Sequence, residues 1–415
     1  MWLFRSGFVL LAYTGINLYT GIKVLGLLKY FFPGIKSLVY WPLYIICGYS
    51  YILSYLLRLD RILFVRSLTM YSLPTILYLF IVILFFDVIR LILRLSGRFS
   101  FQWAGFAAVG TGIALGITLL VMIFGYWNAG YIHTTHYNVA LNKSGPGKEA
   151  YIVNAMPSAQ VVSETLQGVG PVYENHSGRL RIVLVSDLHI GTTVNRKWLA
   201  NIVNAANKAK PDVIVLAGDI FDNNIDTIPN RDAILDELRR FNATLGVYAC
   251  QGNHDVDRIS FRNDATMDRI QEFLKKADIT LLLDEVEYVA DSFYLVGRRD
   301  ARPIGMGQGR KSAADLSTHV DTSKPIIFLD HQPTDFWNIE EAGADLILSG
   351  HTHAGQFFPG NIVTSHIYRR TGAVHYGYWK GGSAQAVITS GAGVWGPPIR
   401  ILTRSEVAIV DISFK

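Results

Sequence analysis

Long apolar runs dominate the first 127 residues of this 415-residue chain. Four of these runs, at about residues 7–28, 37–57, 69–90 and 103–126, are long enough to cross a bilayer as helices, which takes about 20 residues. Four such runs in succession exceed what one water-soluble core requires. The pattern therefore predicts an N-terminal part made of transmembrane helices, about four in number.

The remainder of the chain alternates short apolar runs with amphipathic stretches. Amphipathic residues at 196–208 and 231–241 predict helices. The short runs are rich in β-branched residues and predict buried strands, at residues 180–185, 211–217, 246–250, 325–329 and 344–349. Strands that alternate with helices indicate an α/β domain, whose sites form at the carboxyl ends of the strands.

Metal-binding residue types follow each of the five predicted strands. The segments are Ser-Asp-Leu-His at 186–189, Gly-Asp-Ile-Phe-Asp at 218–222, Gly-Asn-His-Asp at 252–255, Asp-His-Gln-Pro at 330–333 and Gly-His-Thr-His at 350–353. Each segment alone is common in ordinary loops. Together they supply oxygen and imidazole donors without any thiolate, a set that suits borderline divalent metals. With one bridging carboxylate, such a set suffices for two metals.

These segments resemble the calcineurin-like metallophosphoesterase family. The family pattern D-x-H, G-D-x-x-D, G-N-H-[DE], H, G-H-x-H is matched at every position, and the resemblance runs from about residue 181 onward. The context at 350–356 and Pro-Pro-Ile-Arg at 397–400 is similar to a membrane-associated bacterial branch, which usually has glycine where Ala354 stands. The resemblance implies an αββα sandwich, in which two mixed sheets are flanked by helices.

The resemblance also implies a pair of divalent cations, with Mn²⁺ preferred and Fe or Zn²⁺ as alternatives. It assigns Asp187, His189, Asp219 and His353 to one ion, and Asp219, Asn253, His331 and His351 to the other. Asp219 would bridge the two ions. A hydroxide held between them would attack phosphorus in line, while His254 protonates the leaving oxygen. Asp222 would hydrogen-bond His254 and set its tautomer.

Charge follows the same division of the chain. Residues 1–127 contain ten Lys and Arg and two acidic residues, a net of +8, so the remainder of the +5 chain carries −3. The basic character therefore belongs to the apolar part and does not indicate nucleic-acid binding. We expect a transmembrane anchor over 1–127, a linker with edge strands at 151–153 and 169–173 over 128–180, and the metallophosphoesterase domain over 181–415.

The sequence thus predicts a membrane-anchored phosphoesterase of a bacterial inner or cell membrane. Its substrate would be a phosphate ester or diphosphate, plausibly lipid-linked: a phospholipid or a nucleotide-linked lipid. Lys and Arg are absent from residues 99–141, which favours an extracytoplasmic catalytic domain. Two alternatives are a non-catalytic scaffold of the same fold and a membrane sensor. The complete set of ligands and His254 favours catalysis.

Three smaller questions stay open at the level of sequence. The aromatic stretches at 356–359 and 375–380 could enter the lipid headgroup region or pack across the sandwich. Asp87 is expected to pair with Arg90 or Arg94 at an interface rather than to act as a functional intramembrane acid. Arg298, Arg299 and Arg302 are candidates for binding a second phosphate.

Overall fold

The computed structural model describes residues 2–57, 59, 62–96, 103–143, 162–163, 178–191, 193–222, 225–255, 263–301 and 309–414. The chain divides into two compact units, Met1–Tyr126 and Trp127–Lys415. The edge strands predicted at 151–153 and 169–173 lie outside the described residues, and so does Arg302.

Helices make up the first unit. They are α1 (Trp2–Phe31), α2 (Ser37–Gly48), α3 (Ser50–Leu56), α4 (Leu63–Thr69), α5 (Ser72–Leu95) and α6 (Trp103–Gly130), the last of which ends in the second unit. Within the described residues, three segments are long and apolar enough to cross a membrane: Val9–Phe31, Ser72–Leu95 and Gly105–Gly130. Only 17%, 22% and 33% of their apolar windows are buried. Most of their side chains therefore face outward, where hydrocarbon would be a suitable environment.

The apolar run at 37–57, predicted as one span, is divided at Tyr49 into α2 and α3. A Cβ atom on Gly48 would lie 2.3 Å from Oδ1 of Asn17 on α1. This close approach of two helices is a tertiary contact, which hydropathy alone does not register. Each half is too short to cross a bilayer by itself.

Asp87 on α5 lies in a group of polar side chains within the first unit. It pairs with Lys23 of α1 and accepts a hydrogen bond from Tyr19. The guanidinium of Arg90, one turn later, is 3.5 Å away. Asp87 thus ties α5 to α1, which favours the structural interpretation over a proton-carrying role.

Two mixed sheets form the centre of the second unit. Its strands are β1 (Ile132–Leu141), β2 (Val162–Ser163), β3 (Arg179–Val185), β4 (Val213–Ala217), β5 (Val247–Cys250), β6 (Ile279–Leu282), β7 (Glu285–Val289), β8 (Phe293–Gly297), β9 (Ile326–Leu329), β10 (Leu346–Ser349), β11 (Gly377–Lys380), β12 (Gln385–Ile388) and β13 (Ser405–Phe414). Its helices are α7 (Arg196–Lys208), α8 (Arg231–Leu238), α9 (Asn263–Lys275), α10 (Ala313–Ser317), α11 (Phe336–Glu341) and α12 (Gly360–Arg369).

The first sheet has the order β2-β1-β13-β3-β4-β5-β6, and the second β11-β12-β10-β9-β8-β7. Buried apolar residues from both sheets, such as Leu184, Val215, Leu329 and Leu348, form the core between them. Helices cover the outer faces, where amphipathic α7 packs Leu199, Ile202 and Val203 into a second cluster. This is the αββα sandwich that the family resemblance implied.

All five predicted strands are confirmed, as β3, β4, β5, β9 and β10. Strands β3, β4 and β5 are parallel neighbours in the first sheet, and β9 and β10 are parallel neighbours in the second. Their carboxyl ends therefore lie at common edges of the sandwich. The stretch 132–141, expected in the linker, is instead a ten-residue strand that runs parallel to β13.

Candidate metal centre

Two clusters of metal-binding side chains form where these five strands end. One contains Asp187, His189 and His353, and in the other Asp219, His331 and His351 come together. Within each cluster the candidate ligand atoms lie within 4.8 Å of one another. The structure thus brings together six of the seven predicted ligands from loops far apart in the sequence, and the seventh, Asn253, is described below.

The backbone turns sharply at most of these residues. The left-handed region, which side-chain-bearing residues rarely adopt, is occupied with φ between 45° and 72° by Asp187, His189, Asp219, His351 and His353. Such strained conformations cluster at functional sites. Two glycines allow the ligands to approach the backbone: a Cβ on Gly252 would lie 2.3 Å from Asp219 Oδ1, and one on Gly350 would lie 2.4 Å from Asp187 Oδ2.

In the first cluster, two imidazoles face each other over a carboxylate. His189 Nε2 and His353 Nε2 are 3.1 Å apart, and His353 Nε2 is 3.4 Å from Asp187 Oδ1. The amide of His351 donates to both oxygens of Asp187, at 3.1 and 2.9 Å. The loop after β10, which carries His351 and His353, therefore holds Asp187 and fixes the direction of its two carboxylate oxygens.

In the second cluster, a hydrogen bond to a backbone carbonyl fixes the orientation of the His331 ring. Its Nδ1 is 2.7 Å from the carbonyl oxygen of Ala217, which can only accept, so Nδ1 carries the proton. The lone pair of Nε2 then faces Asp219 Oδ2 at 3.2 Å. Two acceptors at that distance require a cation between them, either a proton or a metal ion. Backbone support of this kind is what metal-ligating histidines ordinarily have.

Asp219 lies between the two clusters. Its Oδ2 is 3.2 Å from His331 Nε2 and 3.7 Å from His189 Nε2. Its Oδ1 accepts a hydrogen bond of 2.7 Å from the amide of His254. Asn253, the preceding residue, has a buried Oδ1 with no hydrogen-bond partner among the described residues. A buried amide oxygen normally has a partner, and a cation would serve as one.

Charges of the metal-free site compensate one another in part: burial would lower the pKa of His331, but Asp219 raises it well above its usual value. Burial would raise the pKa of Asp219, but the adjacent His331 lowers it well below its usual range. Burial raises the pKa of Asp187, and the negative charge of Asp219 adds to the rise. Burial lowers the pKa of His353 well below its usual range, with His189 and Arg400 contributing, so this imidazole is a neutral ligand with a free lone pair. Closely packed carboxylates and neutral imidazoles fit divalent cations.

His254 lies beside the clusters together with Asp222. Candidate ligand atoms of His189, Asp222 and His254 lie within 4.8 Å of one another. The Asp222 carboxylate is 3.7 Å from His189 Nδ1. The His254 ring is 4.8 Å from that of His189 and 6.1 Å from that of Trp395, measured between centroids. The structure therefore brings the proposed acid to the metal-binding residues, and its half-buried side chain is accessible to a substrate.

Arg400 supports the site in a way that the sequence did not reveal. It is fully buried, and its guanidinium donates to the carbonyl oxygens of His353, Ser390 and Gly393 at 3.2, 2.7 and 2.8 Å. Its Nη2 is also 3.4 Å from His353 Nδ1. Burial lowers the pKa of Arg400 to about 10, so it stays a cation at neutral pH. Two sequence signals marked this residue, its place in the Pro-Pro-Ile-Arg segment and its position as a charge between two isoleucines, but neither indicated its partners.

The candidate second phosphate site is corrected by the structure. Arg298 is buried, and its guanidinium pairs with Asp330 at 2.9 Å and with Asp335 at 2.7 Å. Arg299 donates its amide to Asp284, and its side chain is 3.7 Å from the same carboxylate. The positive charges of these two arginines are therefore paired with Asp330, Asp335 and Asp284 rather than available to a substrate phosphate.

We expect Arg400→Met to lower the unfolding temperature of the full chain by roughly 5–10 °C. The methionine fills the volume but removes the donor from the buried carbonyls of Ser390 and Gly393, a loss of about 3–5 kcal/mol. Thermal unfolding in detergent measures this. Arg239→Met is the control, because Arg239 is exposed and pairs with exposed Asp236, and such a pair contributes little. Equal shifts in the two variants would contradict the role of Arg400.

Comparison with known proteins agrees with this geometry. Residues 180–355 match the family model for the calcineurin-like phosphoesterase. An uncharacterised metallophosphoesterase of Campylobacter jejuni is 28% identical over 266 residues, which cover 64% of this chain and 66% of that protein. One of Helicobacter pylori is 31% identical, covering 58% and 62%. A zebrafish (Danio rerio) transmembrane protein with a metallophosphoesterase domain is 33% identical, covering 62% and 58%. The matches span less than two thirds of each of these relatives. Over residues 180–355, this chain is therefore similar to the calcineurin-like phosphoesterases.

Proposed function

We propose that the chain is a membrane-anchored, metal-dependent phosphoesterase that hydrolyses a phosphate ester or a diphosphate. The observation that carries the proposal is the position of Asp219, whose one carboxylate oxygen faces an imidazole of each cluster, at 3.2 and 3.7 Å. A single bridging carboxylate is what two closely spaced cations require.

Two cations bound here would neutralise the charge of a phosphate and lower the pKa of a water so that it can attack near neutral pH. The side chains of the two clusters hold and orient those cations. His331 is fixed by the Ala217 carbonyl, and Asp187 is fixed by the His351 amide. His254 supplies the proton that the leaving oxygen needs, from a position next to His189. Metal identity is proposed as Mn²⁺, with Fe or Zn²⁺ compatible with the same donors.

The scaffold and sensor alternatives predict a different use of the same residues. A scaffold has no need for a general acid beside its metals, and a sensor needs binding without turnover. Here His254 is placed by a hydrogen bond from its own amide to Asp219. An acid at this position would protonate the leaving oxygen of a phosphoester, which favours the enzyme over the scaffold and the sensor.

We further propose a multi-pass location in a bacterial membrane, with the catalytic domain on the extracytoplasmic side and a lipid-linked phosphate as the substrate. Three apolar helices and transmembrane relatives support membrane association. The side of the membrane follows from the absence of Lys and Arg over residues 99–141, since cytoplasmic flanks are normally basic.

Hydrolysis by the purified full chain tests the proposal. The protein in detergent is stripped with a chelator, reloaded with Mn²⁺, Fe²⁺ or Zn²⁺, and assayed with p-nitrophenyl phosphate and bis-p-nitrophenyl phosphate. We expect two metal ions per chain by elemental analysis, and ester cleavage that requires them. Metal binding without cleavage of any ester would support the sensor, and a chain that binds no divalent metal would support the scaffold.

A further inference from the structure

An exposed apolar surface lies beside the metal centre. It is formed by three residues of α12 and by two residues of the following loops: Ile362, Val363, Ile367, Trp395 and Leu402, which are 58%, 54%, 53%, 52% and 74% exposed. We call these five residues the apolar rim. None of the ten residues of α12, all of which are described, is buried, although the helix is amphipathic. A helix with this character ordinarily packs its apolar side against something.

Gln356 links the chain just before α12 to the loop that carries Trp395 and Leu402. It follows the ligand His353 by three residues and precedes α12. Its side chain donates to the carbonyl oxygens of Trp395 and Pro397, at 2.9 and 3.0 Å, and accepts from the amide of Trp395 at 2.9 Å. Its backbone oxygen accepts from Ile401 at 3.3 Å. The Trp395 ring is in turn next to His254. The apolar rim therefore reaches the catalytic residues.

The same loop is fastened to the end of α6. Asn128 donates from its side chain to the carbonyl oxygens of Arg400 and Thr403, both at 2.9 Å, on either side of Leu402. Trp127 and Tyr131 at this helix end are 64% and 51% exposed and stack on each other. Exposed aromatic residues at the end of an apolar span are typical of the membrane–water interface. This continuity favours lipid as the partner of Leu402.

Charge along the segment is complementary to an anionic lipid surface. Residues 346–405 contain no Asp or Glu, and four of their five Lys and Arg are exposed, the exception being the buried Arg400. The exposed members include Arg369 and Arg370, which follow directly on the apolar residues of α12. Basic residues next to an apolar face favour binding to anionic headgroups.

We propose that the apolar rim lies in the lipid headgroup region and delivers a phosphate on a membrane lipid to the metal centre. Apolar side chains take the acyl part, the basic residues take the headgroup charge, and Trp395 lies next to His254, with 6.1 Å between the ring centroids. The proposal assigns a surface of the protein to the lipid-linked substrate and rests on the proposed function.

Nitroxide labels on the full chain in nanodiscs test the position of the apolar rim without any need for activity. In a background that lacks Cys47 and Cys250, single labels are attached through Leu402→Cys, Ile362→Cys and, as the control, Val286→Cys. Val286 is a 37%-exposed apolar residue of strand β7. We expect the first two labels to be more accessible to dissolved oxygen than to a water-soluble nickel chelate, and the control to show the reverse. The same aqueous profile at all three sites would overturn the proposal.

Competition separates lipid phosphate from free phosphate. Hydrolysis of p-nitrophenyl phosphate is measured with phosphatidic acid in phosphatidylcholine nanodiscs, and with inorganic phosphate, as inhibitors. We expect the triple variant Ile362→Ser, Val363→Ser, Ile367→Ser to need about tenfold more phosphatidic acid, while inorganic phosphate inhibits both proteins equally. Equal inhibition of both by phosphatidic acid would overturn the proposal. An inert wild type would reject the proposed function alone, since the labels still report on the rim.

Discussion

Asp219→Asn is expected to remove both metal ions and to reduce phosphoester hydrolysis to the background rate. The carboxylate oxygen that faces His331 and His189 is the only group positioned between the two clusters within the described part of the site. An amide keeps the size of the side chain but cannot offer two anionic oxygens to two cations. Elemental analysis of the purified variant should therefore find much less than one ion per chain.

Stability gives a second measurement for Asp219→Asn. Without metal, the buried Asp219 carboxylate pairs with His331, which against the effect of burial lowers the pKa of Asp219 well below its usual range, so replacing it removes a stabilising charge. The metal-free variant should then unfold at a lower temperature than the metal-free wild type at neutral pH, although the repulsion of Asp187 and of Asp255 is relieved. Added Mn²⁺ should stabilise only the wild type, by about 2.7 kcal/mol at a hundred times its dissociation constant.

Asp345→Asn is the matched control for this experiment. Asp345 is largely buried and paired with Lys143 at 2.7 Å, but it precedes β10 at the strand's other end, away from the ligands. It should keep both ions and the stabilisation by Mn²⁺. A protein with Asp219→Asn that still binds two ions with wild-type affinity would show that another group bridges them.

The edge where the site forms was predictable because its signal is local. Each of the strands that bear site residues is a short β-branched run, and each run ends directly in polar residues. In parallel strands the carboxyl ends must share an edge. The positions of Asp187 and Asp219 near one another therefore follow from pattern and chain direction, whereas the approach of His331, which follows a strand of the second sheet, depends on how the two sheets pack.

Pairings between distant segments were not predictable. Residues 132–141 were expected in a linker, yet they form β1, whose partner β13 begins at Ser405. The role of Arg400 likewise depends on carbonyls of His353 and Ser390, which its own neighbourhood does not indicate. The break at Tyr49 follows the contact of Gly48 with Asn17. In each case a partner far along the chain decides the local structure, and a single sequence does not name that partner.

His254→Ala is expected to keep both metal ions but to have a lower kcat. The loss in kcat should be largest for esters whose leaving group needs a proton. The imidazole lies beside His189 but outside the two ligand clusters, and the backbone amide of His254 donates to Asp219. Alanine preserves that amide. For an alkyl phosphate, the leaving alkoxide requires protonation, so kcat should fall by about 10²–10⁴-fold. For p-nitrophenyl phosphate the leaving phenolate is stable without a proton, and the loss should be much smaller.

The difference between the two esters is what separates an acid from a structural residue. A change that merely displaced a metal would slow both substrates alike, since both depend on the same cations. His319→Ala is the control, because His319 is an exposed histidine of the second unit outside both ligand clusters. If His254→Ala slowed both esters equally, or spared the alkyl ester, the proton would have to come from another group. Asp222 would then be the first residue to test as the proton donor, because its carboxylate lies within 4.8 Å of His189 and His254.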